Sequence, residues 1–410
     1  MNVVRRSVAA LAAATAVLGA AVPAVAASPA PSIPDGLYGT SDPKYDGVWR
    51  QSLALLAQDT VGVKPAAKAV DWLAGQQCAN GAFAAFRADA ARACDAKLAV
   101  DTNSTAAAVH ALAALGGHRT ATGKAVSWLK SVQNKDGGWG YLPGGASDAN
   151  STSVVIGALT AVGEKPGGVV KDGKSPYDAL LKLALPCNGD GAGAFAFQPD
   201  KKGKLAANAD ATAAAVVGAL GKGLAGDAAK PTDTDLTCKN ATAPEQAARN
   251  GAGYLVKALA KDKHLTSVLA GAKPQPDYGN TADAVLALAT AGHGDKAADA
   301  MRWLETNSGA WARQAGPAAY AQLILAANAA TFDYNDFGGQ DLVKLLNATG
   351  PKPAALPTSG AYPSESSQSA EDHSAKKGSG FGVWWIVGVG LVGGIGVGFL
   401  ISGRKKKAQP

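Results

Sequence analysis

Gln133-Asn-Lys-Asp136-Gly137-Gly-Trp139 decides the fold, because it does not occur alone. It follows Ala125-Val126-Ser127-Trp128-Leu129. At the same offset, Gln77-Cys-Ala-Asn-Gly-Ala-Phe83 follows Ala69-Val70-Asp71-Trp72-Leu73. Looser copies are Asn188-Gly-Asp-Gly-Ala-Gly-Ala-Phe195, and Arg302-Trp303-Leu304 followed by Gly309-Ala310-Trp311. Glycine takes the left-handed conformation cheaply, so Gly137 reads as the stop of a helix. The Trp-Leu segments carry charge on one face (Lys68, Asp71; Lys124, Lys130; Asp299, Arg302, Glu305). That is the pattern of outer, amphipathic helices. Trp72, Gln77, Trp128, Gln133, Asp136, Gly137, Trp139, Trp303 and Trp311 are therefore structural residues of a repeat. The aromatics are expected to wedge between neighbouring outer helices.

A second motif alternates with the first. Asn103-Ser104-Thr105, Asn150-Ser151-Thr152, Asn208 to Asp210, and Asn280-Thr281 each lead into a run of Ala, Val and Leu with almost no charge. Polar residues of this kind cap a first helical turn. A helix apolar on nearly every side is buried all round. The expected inner helices lie near 45–58, 102–115, 149–162, 207–221, 280–291 and 315–330. The expected outer helices lie near 65–77, 121–133, 175–185, 244–260, 294–306 and 338–347. Six inner–outer hairpins imply a closed ring, an all-α α/α toroid, in which closure protects both ends of the array.

The Gln133 to Tyr141 stretch, with Asn150-Ser151-Thr152 and the helix after it, resembles the repeat of the prenyltransferase and squalene–hopene cyclase superfamily. That terpenoid cyclase-like group also includes the transcobalamin and intrinsic-factor cobalamin-binding proteins and the complement thioester domain. The resemblance covers most of residues 44–348 and speaks for fold rather than activity. The superfamily's catalytic signatures are missing. Class II cyclases carry Asp-x-Asp-Asp, and the nearest string, Asp233-Thr-Asp235-Leu236, lacks the last acid. No zinc-ligand set and no Cys-Gly-Glu-Gln string occurs, so no metal is expected. Other six-hairpin toroids are glycosidases or lyases, which need two placed carboxylates. Asp46, Asp101, Asp148, Asp210, Asp277 and Asp283 lie near inner-helix N-termini, where Asp is usually a cap. His110, inside an apolar helix, reads as a core histidine. These absences lean the reading away from an enzyme.

What remains is a concave mouth. Tyr45, Asp46, Trp49, Asp101, Asn103, Asn150, Asn208, Asp210, Tyr278, Asn280 and Gln314 would ring it as a binding rim. The expectation is a non-catalytic binding protein for a small ligand, with no cofactor of its own. The transcobalamin resemblance implies a cobalamin-type cargo, handed to a membrane transporter. The alternative is an extracellular enzyme of terpenoid-cyclase, prenyltransferase or polysaccharide-degrading type.

The ends of the chain complete the expected domain plan. Residues 1–26 read as a signal peptide, with Arg5 and Arg6, an apolar stretch, and Ala24-Val25-Ala26. The toroid fills 27–350, and 351–380 is a Pro/Ser-rich stalk. Residues 381–402 are uncharged and read as a single transmembrane helix, followed by the basic cytoplasmic tail 403–410. The expected location is thus the cell membrane, with the bulk of the chain outside. Leu356-Pro-Thr-Ser-Gly360 is an imperfect sortase-like string. Cys78, Cys94, Cys187 and Cys238 are read as two disulfides, with sequential pairing adopted among three connectivities. Nine of the 39 basic and three of the 32 acidic residues fall outside 27–350, so the toroid is nearly neutral. That charge offers no footprint for nucleic acid.

Overall fold

In the computed structural model, residues 33–267 and 273–356 are described. In chain order the helices are α1 (Gly47–Thr60), α2 (Ala67–Gly75), α3 (Thr102–Leu115), α4 (Arg119–Ser131), α5 (Ala149–Ala161), α6 (Pro176–Leu183), α7 (Ala209–Ala219), α8 (Pro244–Ala260), α9 (Tyr278–Thr290), α10 (Gly294–Asn307), α11 (Gly309–Ala315), α12 (Pro317–Ala329) and α13 (Leu342–Asn347). Two short antiparallel ribbons lie between them, β1 (Phe83–Ala84) with β2 (Val100–Asp101), and β3 (Leu265–Ser267) with β4 (Gln275–Asp277).

Helices α1, α3, α5, α7, α9 and α12 each pack on the next, and α12 closes back on α1. This is the closed inner ring of an α/α toroid. It closes tightly because the facing residues are small: Ala106, Ala108, Ala158, Ala215, Ala284 and Ala319 are all fully buried. Helix α11 was not anticipated. Its first residues, Gly309-Ala310-Trp311, match the turn motif of the repeat in sequence but begin a short helix in the structure.

Four inner helices share one starting device. Asp101, Asp148, Asn208 and Asp277 are the N-caps of α3, α5, α7 and α9, each accepting a hydrogen bond from the backbone three residues on. The caps of α3, α5 and α9 thus stand two or three residues ahead of the Asn-rich strings first assigned that role. Four residues after each cap, a threonine hydroxyl accepts the amide hydrogen of the residue closing the preceding turn. The pairs are Thr105 with Phe83 (2.9 Å), Thr152 with Trp139 (3.1 Å), Thr212 with Phe195 (2.9 Å) and Thr281 with Leu265 (2.9 Å).

The outer turns repeat as closely. Gln133 Nε2 donates to Gly137 O at 2.8 Å and to Val169 O at 3.1 Å. Gln77 Nε2 donates to Gly81 O at 3.0 Å and to Ala121 O at 2.8 Å. Each glutamine so ties its own turn to the next outer segment. A Cβ on Gly137 would lie 2.2 Å from Ser175 O, and one on Gly81 2.2 Å from Lys124 O. Trp139 is buried and donates Nε1–H to Leu129 O at 2.7 Å. It is therefore a core residue that locks α4 to its own turn.

The cysteines pair as Cys78–Cys94 and Cys187–Cys238. The chain ends of the toroid are stitched together, with Gly39 N–H donating to Thr349 O and Lys64 N–H to Ala355 O. The fold thus runs a few residues past 350.

One expectation is corrected. Among the described residues no helix is long and apolar enough to cross a membrane. The longest, α8, has 17 residues and carries Glu245, Arg249 and Lys257. The toroid-plus-transmembrane-helix fold class becomes an α/α toroid, and single-pass membrane location is withdrawn with it. The stretch 381–402 that prompted it lies outside the described residues. So do 1–26, the tail 403–410, most of the stalk and all of the sortase-like string except Leu356.

Candidate functional site

The N-cap fixes which residue of an inner helix faces the channel. Two residues after the caps of α3, α5 and α7 stand Asn103, Asn150 and Asp210, and all three line a central cavity. One turn deeper on the same faces, Val154 and Ala214 follow Asn150 and Asp210, as the i, i+4 spacing of a helix requires. In α9 the position two after the cap is Gly279, which has no side chain to offer. The polar residue appears one turn deeper instead, as Asp283. Helix α12 likewise presents Gln322, and α1 presents Trp49. Each of the six inner helices thus contributes at least one polar or aromatic group, and α5 adds a second, Ser153.

The walls below are apolar, formed by Leu53, Val154, Val217, Leu286 and Leu325. The segment Lys222 to Leu224 forms the floor and packs on His110, whose ring would meet a Cβ on Gly223 at 2.5 Å. His110 is buried, with Nε2 3.0 Å from Val154 O, and burial lowers its pKa to about 4. It is a neutral core residue. The cavity volume is about 130 Å³.

Electrostatics single out the two acids. Burial pushes the Asp283 carboxyl up to about 8. The charge of Asp210 adds to this, the Gln322 hydrogen bond opposes it, and Asp277 adds a little more. Gln322 Nε2 donates to the Asp283 carboxylate at 3.3 and 3.4 Å. Asp210 is also raised by burial, although Asn150 Nδ2 donates to it at 2.7 Å. At neutral pH Asp283 is held largely protonated, because burial and a nearby carboxylate both disfavour its ionised form. Asp101 and Asp148, raised to about 6 by burial, are occupied as caps.

Of the rim expected from sequence, the structure brings Trp49, Asn103, Asn150 and Asp210 together at the cavity. The others go elsewhere. Tyr45 is 80% exposed, and Gln314 lies on the surface of α11. Asp46 pairs with Arg50 at 2.9 Å. Asp101 and Asn208 are caps, and Asn280 Nδ2 donates back to Asp277 at 2.8 Å. Tyr278 stacks between Trp303 and Trp311, at 5.1 and 5.5 Å between ring centres. Asp283 was counted among the acids near helix starts but not in the rim. Ser153, Lys222 and Gln322 were missed. A lone Asp or Gln in the Ala/Leu run of α9 or α12 was the available signal. Among the described residues no group of three or more His, Cys, Asp or Glu could hold a metal ion.

No protein-family model matches the chain. Over 80 residues it is 36% identical to drimenyl diphosphate synthase of Streptantibioticus cattleyicolor, a match covering 20% of this chain and 13% of that protein. Among solved structures, ent-copalyl diphosphate synthase from Streptomyces platensis superposes with a TM-score of 0.47 at 15% identity, over 69% of this chain and 50% of that one. A protein from Actinoplanes superposes with a TM-score of 0.48 at 16% identity, over 72% and 94%. The chain spans about half the length of the Streptomyces synthase and matches a small part of the curated relative. The sequence match and the closed ring of six hairpins together support a terpenoid cyclase-like α/α fold.

Proposed function

We propose that the toroid binds a small, partly apolar molecule in its channel. One observation carries this reading. Trp49, Asn103, Asn150, Asp210, Asp283 and Gln322 converge on one cavity, one from each inner helix. Packing alone would favour alanine or leucine there, since enclosed polar groups cost stability unless paired. Polar groups converging above an apolar wall are the usual composition of a ligand site. The volume narrows the ligand. About 130 Å³ lies below the roughly 300–1,000 Å³ of drug-sized sites, and a corrinoid is larger than either. A cobalamin-type cargo is therefore not part of the proposal. The two disulfides suit an oxidising compartment and support an extracellular setting.

A second reading is favoured by Asp283, a carboxylic acid held protonated near neutral pH beside an apolar wall and Trp49. Such a group can donate a proton to an alkene, and the similarity to a drimenyl diphosphate synthase supports this direction. The diphosphate argues against it. Among the described residues Lys222 is the one cation lining the cavity, and Asp227 already holds it at 2.6 Å.

The test is a thermal-shift screen of small amphiphilic molecules on the full chain, repeated on Ala214→Phe, which fills the channel from α7. A ligand at one hundred times its Kd stabilises by about 2.7 kcal/mol. The expected result is a shift in the natural protein that Ala214→Phe abolishes. A shift that survives the filled channel would place the ligand elsewhere and remove this reading. Turnover of a prenyl diphosphate, lost in Asp283→Asn, would instead establish the acid-catalyst reading.

A further inference from the structure

We infer that the channel takes a single short aliphatic chain, tail first, and that Leu224 limits its length. This rests on the small-ligand reading above and adds the shape of the ligand. Three inner helices are closed off at one depth. Asn103, Asn150 and Gly279 hold the position two after the cap in α3, α5 and α9. Seven residues further along each helix stand His110, Gly157 and Leu286. All three meet one strap of chain, Lys222 to Gly226. A Cβ on Gly223 would lie 2.5 Å from the His110 ring, one on Gly157 2.6 Å from Gly223 Cα, and one on Gly226 2.9 Å from Leu286 Cγ. At about 1.5 Å of rise per residue, the strap closes the channel about 10 Å below its rim.

The strap is held at both ends. Lys222 N–H donates to Val217 O at 3.0 Å, and Asp227 N–H to Thr290 Oγ1 at 3.1 Å. Lys222 Nζ turns to Asp227 at 2.6 Å, and Gly223 has no side chain. Among the described residues, Leu224 is thus the strap's one apolar side chain lining the cavity. A volume of about 130 Å³ spread over this depth is a narrow bore, with room for one chain. Its polarity is graded along the helices. Asn150 and Asp210 stand near the rim, while Val217 and Leu286 stand seven residues below the rim positions of α7 and α9. A chain that enters tail first leaves its polar head among the rim groups and sets its methyl end against Leu224. Removal of the tail from water supplies the affinity.

The experiment is calorimetric titration of the full chain at pH 7 with the unbranched alcohols from butanol to decanol. Affinity is expected to rise about fourfold with each added methylene, the equivalent of about 0.8 kcal/mol. The rise should stop within the series, where the chain end reaches the strap. Leu224→Ala should move that break to a longer alcohol, and Leu224→Phe to a shorter one. General damage to the fold would weaken every alcohol and leave the break in place, so opposite shifts report the strap itself. A rise that continues unbroken to decanol, or a break that neither variant moves, would overturn the length limit and leave the small-ligand reading standing. Binding of no alcohol, or binding that Ala214→Phe leaves unchanged, would overturn both.

Discussion

The turn after α4 and the first turn of α9 each hold a glycine, in regions built on opposite terms. Gly137 has φ +91° and sits where a Cβ would strike Ser175 O at 2.2 Å. It is required by backbone geometry and by the close approach of the next outer segment. Gly279 lies inside a helix, where a Cβ would meet its nearest atoms, on Gln322 and Trp311, at an ordinary 3.6 Å. Nothing in the packing demands it. Its effect is to leave the rim position of α9 empty, so that Asp283 supplies the polar group one turn deeper. The outer turns are therefore governed by the repeat. The channel is where the helices stop being copies of each other.

The largest consequence of that difference is in pH. Folded Asp283 keeps its proton to about 8, against 3.8 for the ordinary carboxyl. Between those values the folded state binds more protons than the unfolded chain, so stability falls as pH rises from about 4 to 8. Asp101 and Asp148, raised to about 6, add to the fall at its lower end. His110, lowered to about 4, opposes it below 6.5. Chemical denaturation at pH 6.5 and 8 isolates the upper part of the window. Asp283→Asn should flatten the decline seen there in the natural protein. A decline of unchanged slope would mean that the channel acids are solvated.

Next in size is Gly137→Ala. Overpacking costs about 1–3 kcal/mol and a left-handed non-glycine residue about 1–2 kcal/mol, so a loss of about 3 kcal/mol is expected in urea unfolding. The smallest effect has the opposite sign. Gly279→Ala should stabilise by about 0.5–1 kcal/mol, the ordinary gain of alanine over glycine within a helix. If both glycines behaved alike, the contrast between repeat and channel would fail.

The repeat was legible because its demands are local. Gln133, Gly137 and Trp139 act within one turn and the segment it touches, and their spacing survives in a second copy at Gln77, Gly81 and Phe83. The channel was legible only in part. Caps and channel-facing residues are both Asp or Asn and sit two positions apart, at Asp101 and Asn103 or at Asn208 and Asp210. Composition cannot separate them. Orientation does, because the cap turns back onto its own backbone while the residue two further on points inward. Asp283 and Gln322 lie a full turn inside, beyond where rim residues were sought. Helix α11 was hidden because its first residues, Gly309-Ala310-Trp311, match the turn motif of the repeat.

The central claim is that the channel is a binding site rather than an imperfection of packing. Native mass spectrometry of the full chain isolated from its own host tests it most directly. The account predicts a bound small, partly apolar molecule, released on denaturation and absent from Ala214→Phe. Isolation of both proteins at the bare polypeptide mass, with no shift on adding small amphiphilic molecules, would contradict it.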